Sequence, residues 1–370
     1  MRLGILTFHR AFNCGAMLQA WALKTVLEQM GHEVMFPECN RVGVAPRWRS
    51  VTKPGRGLRG IVRAIVVNAL SVGVEDLTRR CYRSFAREHL PMLKCSTADF
   101  SKHFDAVVIG SDQVWSLKHI LSEAPLFLGE SISPDLPKVA YAASCGDRPA
   151  DEAFRRRLGH AIEGFSAISV RERLTRDQFD AAVRSRIAEV ADPTLLLRRK
   201  DYEGLEAGET PREPYMFVYA LSVKPGLLTR ARALARKAGL RLVIAAVYQY
   251  SRYHAAPEVV FGVSPDRMLA LIRDAQCVLA SSFHGTVFSI LYGKPFLSIR
   301  NEVDDFESRP AALLNRLGAS ERLIGPTIGD EEAYERLMRP LPDFEAAGLE
   351  AYRATSREWL GFALSRLNRI

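Results

Sequence analysis

Cys277-Val278-Leu279-Ala280-Ser281-Ser282-Phe283-His284-Gly285-Thr286-Val287-Phe288 runs from one apolar pattern into another across a short polar cluster. Cys277 to Ala280 reads as the end of a buried strand and Val287 to Tyr292 as the opening of a helix, so His284 and Gly285 are predicted on a strand-to-helix turn. In an open α/β sheet such turns are where ligands bind. Histidine is the side chain that ordinarily titrates near physiological pH, and the free N–H groups at the start of a helix receive anions. One turn therefore offers acid/base and anion-binding chemistry together, although a histidine that merely caps the helix has the same local sequence.

Working outward, the same pattern recurs. Arg2 to Thr7 reads as a buried first strand, and Ala16 to Met30 carries apolar residues at helical spacing up to Gly31, where a helix C-cap belongs. Further strands are predicted at Asp105 to Ile109, Lys138 to Ala143 and Ala167 to Val170, with helical patterns between them, Asp151 to Ser166 among them. A polar link from Arg198 to Glu213 follows. Alternation then restarts with strands at Tyr215 to Leu221, Arg241 to Ala246, Cys277 to Ala280 and Pro295 to Ile299, separated by helices at Pro225 to Ala238, Pro265 to Ala275 and Thr286 to Tyr292. The fold class is therefore α/β, with two doubly wound parallel sheets. The expected domains are 1–197, 214–340 and a C-terminal helix within 345–370 that follows both sheets and returns to the first. No short-period repeat or low-complexity tract interrupts this order.

A chain of 370 residues exceeds what a single hydrophobic core usually supports, consistent with two domains. Hydrophobic residues at 48% and charged residues at 25% are ordinary for a folded soluble protein. The nearly apolar run Ile61 to Val74 contains Arg63 and Asn68 and is too short to span a bilayer, and the N-terminus lacks a signal-peptide pattern, so a cytoplasmic protein is expected. Six cysteines with no CxxC pair give neither a disulfide framework nor a zinc site, and reduced thiols are expected. The net charge of +9 is concentrated between Arg41 and Val74, where Arg41, Arg47, Arg49, Lys53, Arg56, Arg59 and Arg63 face no acidic residue. That insertion, 41–74, reads as a loop running into a short apolar helix. It suits an anionic membrane surface or a phosphorylated substrate, or is simply solvated. No helix-turn-helix, RNP motif or aromatic-lined groove accompanies the charge, so nucleic acid is not the expected partner.

The chemistry-bearing residues gather at one kind of position. His9 to Gly15 follows the first strand, Gly110 to Trp115 the second, Ser144 to Gly146 the third, Arg171 to Arg173 the fourth, and Ser281 to Gly285 the strand of the second sheet. If the carboxyl ends of two sheets face each other, they line one cleft holding a carboxylate (Asp112), a guanidinium (Arg171), an imidazole (His284) and two helix N-termini. Asn13, Gly15, Ser111, Ser144, Ser282, Gly285 and Thr286 are the accompanying substrate-binding candidates. Each has a local alternative: Asp112 as a helix N-cap, Arg171 as an ion-pair residue, Asn13 and Gly15 as turn formers. GxGxxG, GxxxxGK[ST], HExxH, GxSxG and kinase signatures are missing, which leaves an enzyme acting on a phosphorylated or carboxylated small molecule.

Six strings in order, Asn13 to Leu23 (NCGAMLQAWAL), Gly110 to Trp115 (GSDQVW), Tyr141 to Gly146 (YAASCG), Val170 to Glu172 (VRE), Asp192 to Leu197 (DPTLLL) and Ser282 to Thr286 (SFHGT), closely resemble the polysaccharide pyruvyl transferase family. The likeness spans roughly residues 3 to 317. Cys14 and Cys145 depart from it, standing where an aromatic residue is expected, and the basic stretch matches no family motif. The resemblance implies a GT-B-like fold of two Rossmann-like domains with an interdomain site and a returning C-terminal helix. It also implies phosphoenolpyruvate as donor, no cofactor and no metal, and a saccharide acceptor, lipid-linked or soluble, whose hydroxyl pair becomes a pyruvate ketal. Ketal formation at C2 requires protonation of C3, stabilisation of an oxocarbenium-like centre, deprotonation of the attacking hydroxyl and departure of phosphate. Those needs assign His284 as general acid/base, Arg171 as anchor of the donor carboxylate or phosphate, Asp112 as an acceptor-orienting or basic group, and the N–H groups of Gly285 and Thr286 as phosphate ligands. A nucleotide-sugar glycosyltransferase using Glu302, Asp304 or Asp305 shares the expected fold, and a non-catalytic module binding anionic polymers or lipids through the basic stretch is the other alternative.

Overall fold

A computed structural model describes residues 1–39, 58–120, 123–146, 149–222, 225–248, 256–300 and 308–367. The first sheet contains β1 (Arg2–Leu6), β2 (Glu33–Pro37), β3 (Met92–Leu93), β4 (Ala106–Asp112), β5 (Lys138–Ala143), β6 (Ala167–Val170) and β7 (Ile187–Glu189), in the order β3-β2-β1-β4-β5-β6-β7. The second contains β8 (Tyr215–Ser222), β9 (Arg241–Tyr248), β10 (Cys277–Ala280), β11 (Phe296–Ile299) and β12 (Leu323–Ile324), in the order β12-β11-β10-β8-β9. Neighbouring strands pair in parallel throughout. Strands buried on both faces read as continuous apolar runs rather than as alternation, which is why Lys138 to Ala143 and Cys277 to Ala280 stand out in the sequence. The architecture is the expected α/β fold of two doubly wound, Rossmann-like sheets.

Strand order locates the place where each sheet opens. The chain winds from β1 outward through β2 and β3, then returns to β1's other side with β4; in the second sheet it goes from β8 to β9 and returns with β10. The crossovers part between β1 and β4 and between β8 and β10, leaving a crevice at the carboxyl end of each pair. At the first crevice the Thr7 hydroxyl donates to the carbonyl of Ser111 at 2.9 Å. At the second the Ser281 N–H donates to the carbonyl of Tyr219 at 3.1 Å.

Several sequence expectations need adjustment. The helix after β10 begins at Phe283, not Thr286, because the Ser282 hydroxyl accepts the Gly285 N–H and caps it earlier; His284 and Gly285 lie in its first turn. β4 runs on through Gly110 and Ser111 to Asp112. The short apolar helix expected near Ile61 is the start of a helix spanning Leu58–His89, since no proline interrupts the chain before Pro91. The loop part of the basic insertion, 41–57, lies outside the described residues. No helix among the described residues is long and apolar enough to cross a membrane.

Helix Cys14–Gln29 is buried along most of its length and shares one apolar cluster with Tyr141 of the first sheet, Phe217 of the second and Phe288 of the helix after β10. Helix Glu350–Ser365 lies on the first sheet: Trp359 packs on Tyr141, and the buried Arg353 guanidinium donates to the Leu195 carbonyl at 2.9 Å. The Ala191 N–H, just beyond β7, donates to the Ser356 hydroxyl at 2.9 Å, and that hydroxyl donates to the Tyr352 carbonyl at 2.6 Å. Ser356→Ala strands the buried N–H and is expected to cost about 1–3 kcal/mol, read as a lower midpoint in urea-induced unfolding.

Candidate active site

Four ionisable groups meet where the two crevices face each other. Asp112 ends β4 with a left-handed φ of 74°, a conformation that Asp tolerates better than most residues, and its carboxylate accepts the Gln113 N–H at 2.9 Å. Arg171 follows β6 directly. Asp192 caps the short helix Pro193–Leu196, where Oδ1 accepts the Thr194 N–H at 3.0 Å and the Thr194 hydroxyl at 2.7 Å. His284 comes from the second sheet, in the first turn after β10.

Arg171 is caged by carboxylates. Its Nη1 donates to Asp192 Oδ2 at 2.7 Å and its Nε to Glu172 Oε2 at 3.2 Å, while Nη2 stands 3.7 Å from Asp112 Oδ1. Burial works against the charge, but Glu172, Asp192 and Asp112 outweigh it and hold the proton more firmly than usual. The guanidinium also lies 4.8 Å from the centre of the Phe283 ring, and Arg309 lies 5.9 Å from the same ring. Arg309 approaches Asp112 at 4.0 Å, so two cations flank one carboxylate and one aromatic face.

Asp192 is fully buried. Burial pushes its carboxyl upward, yet the His284 imidazole, the Arg171 guanidinium and the Thr194 hydroxyl together draw it well below the usual carboxylate range. The His284 contact, Nε2 to Oδ2, measures 3.6 Å: an ion-pair approach slightly too long for a hydrogen bond. The imidazole rests against the helix that follows β1. A Cβ built on Gly15 would stand 2.2 Å from His284 Nδ1 and 2.7 Å from His284 Cβ, so only glycine admits this approach. Neither Arg171 Nη2 nor His284 Nε2 has a hydrogen-bond partner among the described residues, although both are buried. Such unspent polar atoms are uncommon in a folded interior and mark where an incoming polar group gains most.

The other candidates divide clearly. Asn13 caps helix Cys14–Gln29 by accepting the Gly15 and Ala16 N–H groups, at 2.9 and 3.3 Å. Ser111 donates to the Ala142 carbonyl at 3.0 Å, and the Ser144 hydroxyl donates to Glu172. Ser282 is the cap already described. All three serines are buried and turned inward, so they shape the strand ends. The expected phosphate ligands are corrected in the same way: the Gly285 N–H is taken by Ser282 Oγ at 3.0 Å and the Thr286 N–H by the Ser282 carbonyl at 3.2 Å, because both sit inside a capped first turn. His9 is buried with Nδ1 3.1 Å from the Thr7 carbonyl, and burial lowers its pKa to about 4, which keeps it neutral near pH 7. All six cysteines are free thiols, and burial pushes Cys14 and Cys145 up to about 12. Glu302, Asp304 and Asp305 lie outside the described residues.

Asp192, Glu172, Phe283 and Arg309 are site residues to which sequence reasoning gave no role. The first three stand inside strings already singled out. Arg309 has no local motif and arrives through the fold alone.

Two parallel, doubly wound α/β sheets with ionisable groups at their facing carboxyl ends define an α/β protein with one candidate site between its sheets. The polysaccharide pyruvyl transferase family model matches residues 13–303, and the chain belongs to that family of transferases. No curated protein sequence matches it. Among solved structures it is similar to Methanocaldococcus jannaschii UDP-GlcNAc 2-epimerase, with 12% identity, 96% of this chain and 99% of that chain covered, and a TM-score of 0.49. It is similar also to S. aureus MnaA, solved with UDP, at 11% identity, 99% and 94% coverage and a TM-score of 0.49. The Streptomyces sp. SF2575 glycosyltransferase SsfS6 shares 15% identity over 97% of this chain and 96% of that one, with a TM-score of 0.41.

The Gly15 contact is directly testable. Gly15→Ala forces the His284 backbone and ring away together, because the added methyl meets the histidine Cβ as well as its ring. A displacement near 1 Å costs roughly 10²-fold in turnover. Steady-state rates of Gly15→Ala beside wild type, with folding followed by circular dichroism, check this; an unchanged rate in the folded variant would mean that the approach is not needed.

Proposed function

We propose that this transferase moves the pyruvyl group of phosphoenolpyruvate onto a pair of sugar hydroxyls, releasing phosphate and leaving a pyruvate ketal on a polysaccharide or its precursor. The observation that carries the reading is the meeting of Arg171 and His284, from different sheets, with Nη2 and Nε2 both buried and unspent. In the scheme, Arg171 Nη2 and Arg309 take the donor's carboxylate and phosphate, offering planar guanidinium recognition that a point charge does not reproduce. His284 delivers a proton to C3, turning the methylene into a methyl group and placing positive character on C2. The first sugar hydroxyl adds to C2 and gives its proton to Asp112. The C2–O bond to phosphate then breaks, phosphate leaves with the proton held by Asp112, and the second hydroxyl adds to C2 and returns its proton to His284, closing the ketal. Every proton and charge is handled by a side chain, so the proposal includes no metal or cofactor, and turnover is expected to survive a chelator.

The acceptor is proposed to be presented at the cytoplasmic membrane face on a lipid phosphate. Ile61 and Val62, beside the basic stretch, are exposed at 44% and 51%, and cations near an anionic surface contribute about 1 kcal/mol each. Co-sedimentation with anionic vesicles that weakens as salt rises supports this placement; equal, negligible binding to anionic and neutral vesicles at every salt concentration points to a soluble acceptor.

Two substitutions test the chemistry. His284→Ala is expected to lower kcat by roughly 10² to 10⁴ with the fold intact. Arg171→Lys is expected to weaken phosphoenolpyruvate binding more than acceptor binding, measured by calorimetric titration. Tight binding of a nucleotide sugar with none of phosphoenolpyruvate would instead favour a glycosyltransferase.

A further inference from the structure

Asp192 Oδ2 has three neighbours that do not belong together by sequence. Arg171 Nη1 lies at 2.7 Å, the Ser111 hydroxyl at 3.4 Å and His284 Nε2 at 3.6 Å. Oδ1 is fixed separately by both donors of Thr194. With one oxygen pinned by its own helix turn, the carboxylate cannot swivel, and the other oxygen is aimed at both the guanidinium and the imidazole. We propose that Asp192 is the positioning residue of this site: a single buried carboxylate that holds the donor-binding guanidinium of the first sheet and the proton-delivering imidazole of the second in fixed relation.

The arrangement explains why both side chains keep an unspent polar atom. Arg171 uses Nη1 and Nε on carboxylates, which turns Nη2 toward Asp112 and the Phe283 ring. His284 is held from two sides, by Gly15 on the helix after β1 and by Asp192 across the interface. The charged groups around the imidazole are Asp192 and, beyond it, Arg171 with its partners Glu172 and Asp112; Arg309 stands 5.9 Å from the Phe283 ring centre. A contact of 3.6 Å needs only a slight closure to become a hydrogen bond, and contacts of this kind often tighten when substrate binds. Asp192 itself, fully buried, touches no substrate in this scheme.

The inference rests on the pyruvyl-transfer reading for its kinetic arms, and one arm is independent of it. Asp192→Asn keeps the shape and removes the charge. We expect kcat to fall about 10- to 100-fold, the size of effect seen when a carboxylate that orients a metal-bound histidine is lost, and KM for phosphoenolpyruvate to rise through Arg171. In a His284→Gln background the same change should lower kcat by less than about 3-fold, since groups acting as a unit are not additive. Full multiplication of the two losses overturns the proposal, as does a lowered melting temperature with unchanged kinetics per folded molecule. The independent arm follows the His284 imidazole by NMR at a single pH. The Asp192 carboxylate stands 3.6 Å from Nε2, so replacing it with an amide should shift the ring Nε2 and Cε1 resonances in Asp192→Asn. If wild type shows no turnover with phosphoenolpyruvate but this shift appears, the reaction assignment fails and the positioning role stands; no shift means that Asp192 does not act on His284. Should Asp192→Asn not fold, Thr194→Val, which removes one of the two donors that fix Oδ1, is expected to lower kcat in the same direction, and an unchanged kcat there overturns the proposal.

Discussion

The buried ion pair between Asp192 and Arg171 is the interaction on which the site depends. Two charges out of water are tolerated only when each is matched and hydrogen-bonded, and loss of one partner from such a pair costs about 3–5 kcal/mol. Here the matching is dense: Glu172 and Asp112 share the guanidinium, and Thr194 and Ser111 share the carboxylate. The consequence is mechanical. The end of β6, the end of β4 and the turn after β7 are tied into one rigid rim, and the second sheet contributes its imidazole to that rim.

Parallel winding explains why the rim lies where it does. Every strand of a doubly wound sheet points its carboxyl end to the same side, and the helices that follow begin there, so polar side chains cost least at that edge. With two such sheets facing each other, β4 and β10 deliver Asp112 and His284 from opposite walls. Close approach of the walls then becomes limiting, and Gly15 is where the first sheet's helix makes room for the imidazole.

Much of this was legible in the chain. Buried parallel strands are continuous apolar runs, so β5, β6 and β10 coincide with the sequence reading residue for residue. The short strands β3 and β12, two residues each, carry no periodicity, and sequence reading passes over them. Asp112, Arg171 and His284 could be singled out because they stand at strand ends. The inward serines and the spent N–H groups of Gly285 and Thr286 could not be told from ligand-facing groups, because a helix N-cap and an anion site use the same residue types. Asp192 was hidden for a related reason: Asp before Pro reads as a helix start, and its second task appears only when a distant histidine arrives across the interface. Arg309 depends wholly on tertiary placement.

The account's central claim is a transfer reaction with a defined product. Incubating the purified protein with phosphoenolpyruvate and a panel of lipid-linked and nitrophenyl sugars, then following phosphate release together with the mass of the acceptor, tests it most directly. One phosphate released for each acceptor that gains a pyruvate ketal is the predicted result; an acceptor of unchanged mass across the panel, or a sugar gained from a nucleotide-sugar donor, would contradict it.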